Sequence, residues 1–453
     1  MAAEQAARKA DRALEIVILG LSITSSWGNG HATTYRGLVR ELVARGNDVL
    51  FLERDVPWYR DNADMPTPPW GRCALYRDLD ELRREHDDAV KGADLVIVGS
   101  YVPDGIEVGE WVTETSSGVT AFYDIDTPIT LEDLHRGRCD YVSSDLIGRY
   151  DLYLSFTGGP ILTRLEEDFG ARRPRPLYCS VDPEIYYPEA REIEWDLGYL
   201  GTYSDDRQPR LEELLLEPAR RWPEGRFVVA GPKYPESINW PPNVGRIDHL
   251  PPPRHRGFYN AQRFTLNVTR DSMTEAGYAP SVRLFEAGAC GVPVISDCWD
   301  GLEVFFAPGR EILTASTAEE VLGYLGASSD EDADRIARRA RRKVLRGHTA
   351  AHRAEEVERY WREVINPVAE ERGYEVVNPT DQRWFPEGYI DLFDRTEAAM
   401  ERLLTDDTPE NRAKAYCHYH LVVESVLAQT GYYGFTSRFS EGQADIYDDD
   451  LES

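Results

Sequence analysis

The sequence predicts an α/β protein: two consecutive Rossmann-like, doubly wound domains followed by a small α-helical C-terminal extension. Three observations carry that prediction. From Leu14 to about Cys179, short apolar β-branched runs alternate with amphipathic helical stretches, which is the rhythm of parallel βαβ units. A loop rich in Pro and acidic residues, Ser180 to Trp195, interrupts the rhythm, which then restarts. Beyond about Gly373 the alternation gives way to helix-like segments. Domains are therefore expected at 14–180, 196–365 and 374–440.

In the first domain, EIVILG (15–20), DVLFLE (48–53), ADLVIVGS (93–100), GVTAFYDID (118–126) and YDLYLSF (150–156) read as strands. HATTYRGLVRELVARG (31–46), ended by Gly46, and LDELRREHDDAVKG (79–92) read as helices, with a Pro-rich loop at 56–71. In the second domain DLGYLGT (196–202), RFVVAG (226–231), RFTLNVT (263–269), VPVIS (292–296) and EILTAS (311–316) are the expected strands. A helix runs from about Pro209 to Arg221, and a long charged helical stretch from Asp330 to about Ile365 would close the domain. Two such sheets imply a cleft between their strand carboxyl ends, where ligands bind in folds of this kind. In the extension, helices are expected at about 390–405 and 409–429, and the end, EGQADIYDDDLES, reads as disordered.

Bulk properties narrow the function classes. An apolar fraction of 42% with 11% aromatics over 453 residues is that of a globular protein. A net charge of -29 argues against binding nucleic acid or anionic membranes. Cysteines at 73, 139, 179, 290, 298 and 417 show neither CxxC nor metal-ligand spacing, which suits free, mostly buried thiols in a reducing compartment. The opening MAAEQAARKADRALE has no apolar core of a signal peptide and no run reaches membrane-spanning length, so a cytoplasmic protein is expected.

The most informative stretch is SVRLFEAGACGVPVISD (281–297), a helix with one apolar face (Val282, Leu284, Phe285, Ala289) leading into a buried strand. A Glu in a core-directed helix is costly without a partner. For Glu286 that partner is either a neighbouring Arg or a pair of sugar hydroxyls. SSWGNGH (25–31) sets Gly28, Gly30 and His31 between a strand and a helix. The glycine backbone can meet a phosphate, and His31 either contacts ligand or caps and packs the helix. The motif is not GxGxxG, so dehydrogenase-like dinucleotide binding is disfavoured. In FYDIDTP (122–128), Asp124 and Asp126 follow a strand end and would face the cleft; one of them acts on an acceptor hydroxyl or merely stabilises the turn. TGGP (157–160) is either a cleft-edge phosphate or sugar site or a tight turn.

With SSWGNGH, SVRLFEAGACGVPVISD and LRGHTAAHRAEE (345–356) in order, the stretch from Leu14 to Ile365 resembles the GT-B glycosyltransferases, nearest to the CgeB-like spore-maturation group. The resemblance implies a nucleotide-sugar donor on the second domain and an acceptor on the first. It puts Glu286 on the ribose hydroxyls, where a carboxylate can accept two charged hydrogen bonds. It puts the GYLGTYSDDR turn (198–207), with Gly201 and Arg207, on the diphosphate, with Arg270 and Arg283 as competing partners; the residues alone also fit a plain β–α turn with a surface Arg. Asp126 or His31 falls on the acceptor side. No metal and no cofactor beyond the donor are implied, since DxD metal sites belong to the other glycosyltransferase fold. Retention of configuration rests on the resemblance alone. The chain departs from the E-x7-E motif of the retaining relatives: Tyr278 stands where a carboxylate is expected, with Glu275 three residues earlier.

That departure keeps a second reading open, a non-catalytic nucleotide- or sugar-binding scaffold. A third comes from the C-terminal helices, where His418, His420 and Glu424, with Glu397 and Glu401, faintly resemble half of a ferritin-like metal bundle. The bundle reading competes with a packing appendage or a hairpin that makes a homodimer. The acceptor, whether glycan, lipid, protein or small molecule, is not named by the sequence.

Overall fold

In a computed structural model, residues 13–27 and 30–366 are described. They form one compact unit built on two parallel sheets. The expected C-terminal helices, with His420 and Glu424, lie outside the described residues, and so does Gly28.

The first sheet has seven strands in the order β3-β2-β1-β4-β5-β6-β7. They are β1 (Glu15–Gly20), β2 (Asp48–Arg54), β3 (Arg72–Tyr76), β4 (Leu95–Gly99), β5 (Val119–Asp124), β6 (Leu152–Ser155) and β7 (Pro174–Pro176). Alternate residues along each central strand enter two different cores. Val17, Leu19, Val96 and Val98 pack on one face, and Ile16, Ile18, Leu95 and Ile97 on the other. Burial on both faces is why these strands read as continuous apolar runs. The second sheet has the order β10-β9-β8-β11-β12-β13. Its strands are β8 (Trp195–Leu200), β9 (Phe227–Ala230), β10 (Val244–Ile247), β11 (Gln262–Asn267), β12 (Val294–Ser296) and β13 (Leu313–Thr314).

In both sheets the order reverses beside the first strand, between β1 and β4 and between β8 and β11. Loops leaving such a switch point splay apart and open a crevice at the carboxyl ends of the strands. Helix α1 (Gly30–Ala44) follows β1, and helix α2 (Val282–Ala289) precedes β12. Ser281 caps α2 by accepting from the Arg283 amide at 3.3 Å.

The long charged stretch divides into α3 (Asp330–Gly347) and α4 (Ala350–Ile365). Helix α4 follows the second sheet in sequence yet packs on the first: Ala354, Val357, Tyr360 and Trp361 join the core of Ile16, Ile18 and Tyr35. Trp361 donates from Nε1 to the Asp94 carbonyl at 3.0 Å, and Tyr360 from its hydroxyl to the Pro176 carbonyl at 2.8 Å. The two crossings between the sheets run side by side. The Val181 amide donates to the His348 carbonyl at 3.0 Å and the Ala350 amide to the Val181 carbonyl at 3.1 Å.

Two readings of the sequence are corrected. Helix α2 does not have a single apolar face: Leu284 through Ala289 and Arg283 are all buried, whereas Val282 is 39% exposed. The cysteines are free, but only Cys179 and Cys290 of the five described are fully buried, and Cys298 is exposed.

Candidate active site

The strand-end loops of the two sheets enclose a cavity of about 1160 Å³. Gly30, His31 and Asp126 line it from the first sheet, and Gly201, Arg207, Arg270, Arg283 and Glu286 from the second. Of the residues that the sequence offered for the site, these eight meet around one space, whereas Asp124 and the TGGP turn do not line it.

Glu286 is 6% exposed and accepts a hydrogen bond at 2.9 Å from the Tyr259 hydroxyl. Among the described residues it forms no ion pair with an arginine, so a tyrosine supplies the partner that a carboxylate in this helix requires. A carboxylate has about four lone-pair positions, which leaves Glu286 capacity to accept from a ligand.

The second-sheet side is cationic. Among the described residues Arg207, Lys233, Arg270 and Arg283 line the cavity against two lining carboxylates, Asp126 and Glu286, in a chain of net charge -29. Arg283, 7% exposed, is fixed by its own domain: Nε donates to the Leu200 carbonyl at 2.7 Å and Nη1 to Asn267 Oδ1 at 2.6 Å. Its guanidinium lies 4.7 Å above the Tyr199 ring. Arg207 donates from Nη2 to the Thr202 carbonyl at 2.7 Å, while its Nε is buried with no partner among the described residues. Burial, then repulsion from Arg283 and Arg270, lowers the Arg207 pKa. Like charges gathered in this way relax when an anion enters.

The glycines make room for this cluster. The Gly201 amide is committed to the Ala230 carbonyl at 2.9 Å, so what Gly201 supplies is space: a Cβ there would stand 2.5 Å from the Tyr199 hydroxyl that underlies Arg283. Gly231 has φ +143, and a Cβ would lie 2.0 Å from the Gly201 carbonyl oxygen, a clash with backbone that only glycine avoids. Lys233 follows at φ 69. Neither it nor Gly231 was singled out from the sequence, although GPK after an apolar run was the available signal.

On the first-sheet side the two aspartates separate. Asp124 is fully buried, with Oδ2 accepting from Tyr153 at 2.5 Å and Oδ1 from Thr130 at 2.7 Å, so the expectation that it faces the cleft is corrected. Burial raises its pKa to about 6. Asp126 does line the cavity, and it accepts from the Tyr101 hydroxyl at 3.3 Å. Its pKa is raised by burial, opposed by the charge of Arg270 across the cavity. His31 packs edge-on against Tyr101 at 5.4 Å, and burial lowers its pKa to about 4, leaving a neutral imidazole at pH 7.

Residues 207–359 match the family described as glycosyl transferase-like. No curated protein matches the chain by sequence. Among solved structures, sucrose-phosphate synthase from Thermosynechococcus elongatus superposes with a TM-score of 0.59 at 15% identity, over 78% of this chain and 99% of that one. The chain has the GT-B fold. Anabaena HepE in complex with UDP and glucose superposes over 76% of this chain and 98% of its own, at a TM-score of 0.58 and 12% identity. An alpha-glucosyltransferase in complex with UDP and a 13-mer DNA gives 0.57 and 12%, over 77% and 100%.

Within this GT-B frame, Tyr278 is a packing residue. It sits at φ 50 and is absent from the cavity lining. Its ring lies where a Cβ on Gly159 would be, 2.2 Å from that position, and against Gly301 on the other side at 2.5 Å. Its amide donates to the Asp300 carbonyl at 2.6 Å and its carbonyl accepts from Gly158 at 3.0 Å. The TGGP turn therefore seats Tyr278 between the two sheets. Glu275 is exposed and does not line the cavity.

Proposed function

We propose that this GT-B protein is a glycosyltransferase that moves a sugar from a nucleoside-diphosphate donor to an acceptor hydroxyl. The observation that carries the proposal is the pairing, in one cavity, of a buried carboxylate with four cations in an otherwise acidic chain. Glu286 would accept from the ribose hydroxyls. Arg207, through its unpartnered Nε, and Arg270 would meet the diphosphate, with Lys233 beside them and Arg283 holding the loops in place. Breaking the bond from anomeric carbon to phosphate leaves charge on the departing nucleotide, which fixed cations stabilise without reorganising. The proposal therefore includes metal independence. Asp126 would accept the hydrogen bond of the attacking hydroxyl.

UDP is the first donor nucleotide to try, because UDP occupies HepE and the alpha-glucosyltransferase. The same proposal carries the nearer kinship to CgeB-like enzymes, retention of configuration and a cytoplasmic location. No described helix is long and apolar enough to cross a membrane.

Tyr278 favours a second reading, a non-catalytic binding scaffold, because a packing residue stands where the related enzymes hold a sugar-binding carboxylate. Donor hydrolysis separates the two. The enzyme reading expects slow release of UDP from UDP-glucose without acceptor, undiminished by EDTA. Tight nucleotide binding with no release from UDP-, GDP- or ADP-sugars would leave the scaffold.

A further inference from the structure

We propose that the acceptor is an uncharged saccharide whose ring stacks on Trp27, with Trp58 extending the platform. The inference rests on the glycosyltransferase reading and adds to it the class of the second substrate.

Eight large hydrophobic side chains are exposed among the described residues, and Trp27 (46%) and Trp58 (58%) are the tryptophans among them. Both line the cavity. Exposed aromatic surface gathered at one concavity marks a binding surface. A pyranose presents C–H groups on its faces and hydroxyls around its edge, so it needs a flat apolar partner next to polar groups. Trp27 and Trp58 supply the first. Thr33, Thr34, Tyr101 and Asp126, lining the same side, supply the second.

The loop that leads into Trp27 is tied down by two carboxylates. Buried Glu53 accepts from the Ile23 amide at 2.7 Å, the Thr24 amide at 3.1 Å and the hydroxyls of Ser22 and Thr24 at 2.8 and 2.7 Å. Asp64 accepts from the Ser26 amide and hydroxyl, both at 2.8 Å, and is itself gripped by Arg36 at 2.9 and 2.8 Å. Two carboxylates thus fix the loop from Ser22 to Ser26, so little ordering is lost when a ligand stacks. The Trp27 ring also meets the His249 ring of the second sheet at 4.8 Å, which sets the platform beside the donor side.

Charge selects among acceptors. Arg207, Lys233, Arg270 and Arg283 all lie on the second-sheet side; on the acceptor side the lining titratable groups among the described residues are Asp126, Tyr59, Tyr101 and a neutral His31, with His249 of the second-sheet side against Trp27. A phosphate or carboxylate on the acceptor would meet the Asp126 carboxylate on that side, where no Lys or Arg lines the cavity among the described residues. An acyl chain would bury Asp126 and the threonine hydroxyls against hydrocarbon.

The test is an array of neutral and acidic glycans probed with the full chain in saturating UDP. Calorimetry of the best ligand then compares the wild type with Trp27→Ala, Trp27→Phe and Trp58→Ala. The proposal expects neutral glycans to bind and Trp27→Ala to weaken them about tenfold or more. Trp58→Ala should cost less, and Trp27→Phe should recover part of the loss. UDP-induced stabilisation, unchanged in all variants, shows that they are folded and that the donor side is intact. Binding to no neutral glycan, to acidic glycans only, or equally by Trp27→Ala overturns the proposal. A UDP response without glycan binding overturns it and leaves the donor reading standing. Glycan binding without a UDP response sinks the donor reading alone.

Discussion

The two sides of the cavity are built on the same sheet topology and from different chemistry. The second-sheet side is charged, and its charges are tied to its own backbone: Arg283 holds the Leu200 carbonyl and Asn267, and Arg207 the Thr202 carbonyl. The first-sheet side is aromatic and nearly uncharged, with one lining carboxylate, Asp126, and a histidine that burial keeps neutral. On the proposed reading, one side of a duplicated scaffold meets an anion and the other something flat and polar-edged. Function is set by the few residues at the strand ends, not by the sheets.

The largest expected effect comes from parting the two sides. Trp361, 1% exposed, anchors α4 on the first sheet. Trp361→Ala should cost about 3–5 kcal/mol of stability in denaturant unfolding. A variant as stable as the wild type would mean that α4 does not tie the sheets together.

Breaking only the acceptor side comes next. Asp126→Asn keeps the shape of the side chain and removes its charge. It should lower the transfer rate by about 10²–10⁴-fold while leaving UDP binding unchanged. Equal losses in both would show that Asp126 is structural. The smallest effect sharpens the assignment within that side. Burial raises the Asp126 pKa, so it takes up its proton at a higher pH than an ordinary carboxylate, and the rate should fall as pH drops through that raised value. His31, lowered to about 4, is already neutral there and should add no inflection near 6.5. A limb near 6.5 that survives in Asp126→Asn would take the acceptor role from Asp126, and its loss in His31→Gln would assign it to His31 rather than to buried Asp124, itself raised to about 6.

Much of this was legible in the sequence because the signals were local. Strand runs such as EIVILG and the helix 79–92 lie where their patterns put them. Strand ends converge at the switch points of a parallel sheet, so motifs 250 residues apart could be assigned to one cleft. Strands β3, β7 and β10 were missed because RCALY, PRP and VGRI are short edge or near-edge pieces with charged or Pro residues and weak alternation. The crossing of α4 was illegible for another reason. Its buried face of Ala354, Val357 and Trp361 reads the same whichever core it fills, and only the break at His348–Thr349 hints at a change of partner. Asp124 and Asp126 looked equivalent because burial at the end of β5 depends on Tyr153 and Thr130, which spacing does not reveal.

The central claim is that the cationic side and Glu286 hold a nucleoside diphosphate. The most direct test is thermal and calorimetric titration with UDP, GDP and ADP, on the wild type and on Glu286→Gln. At a hundred times its dissociation constant, one nucleotide should stabilise the wild type by about 2.7 kcal/mol. Glu286→Gln should bind that nucleotide about 10–100-fold more weakly, the loss expected when a charged acceptor becomes neutral. No response to any of the three, or full affinity in Glu286→Gln, would contradict the account.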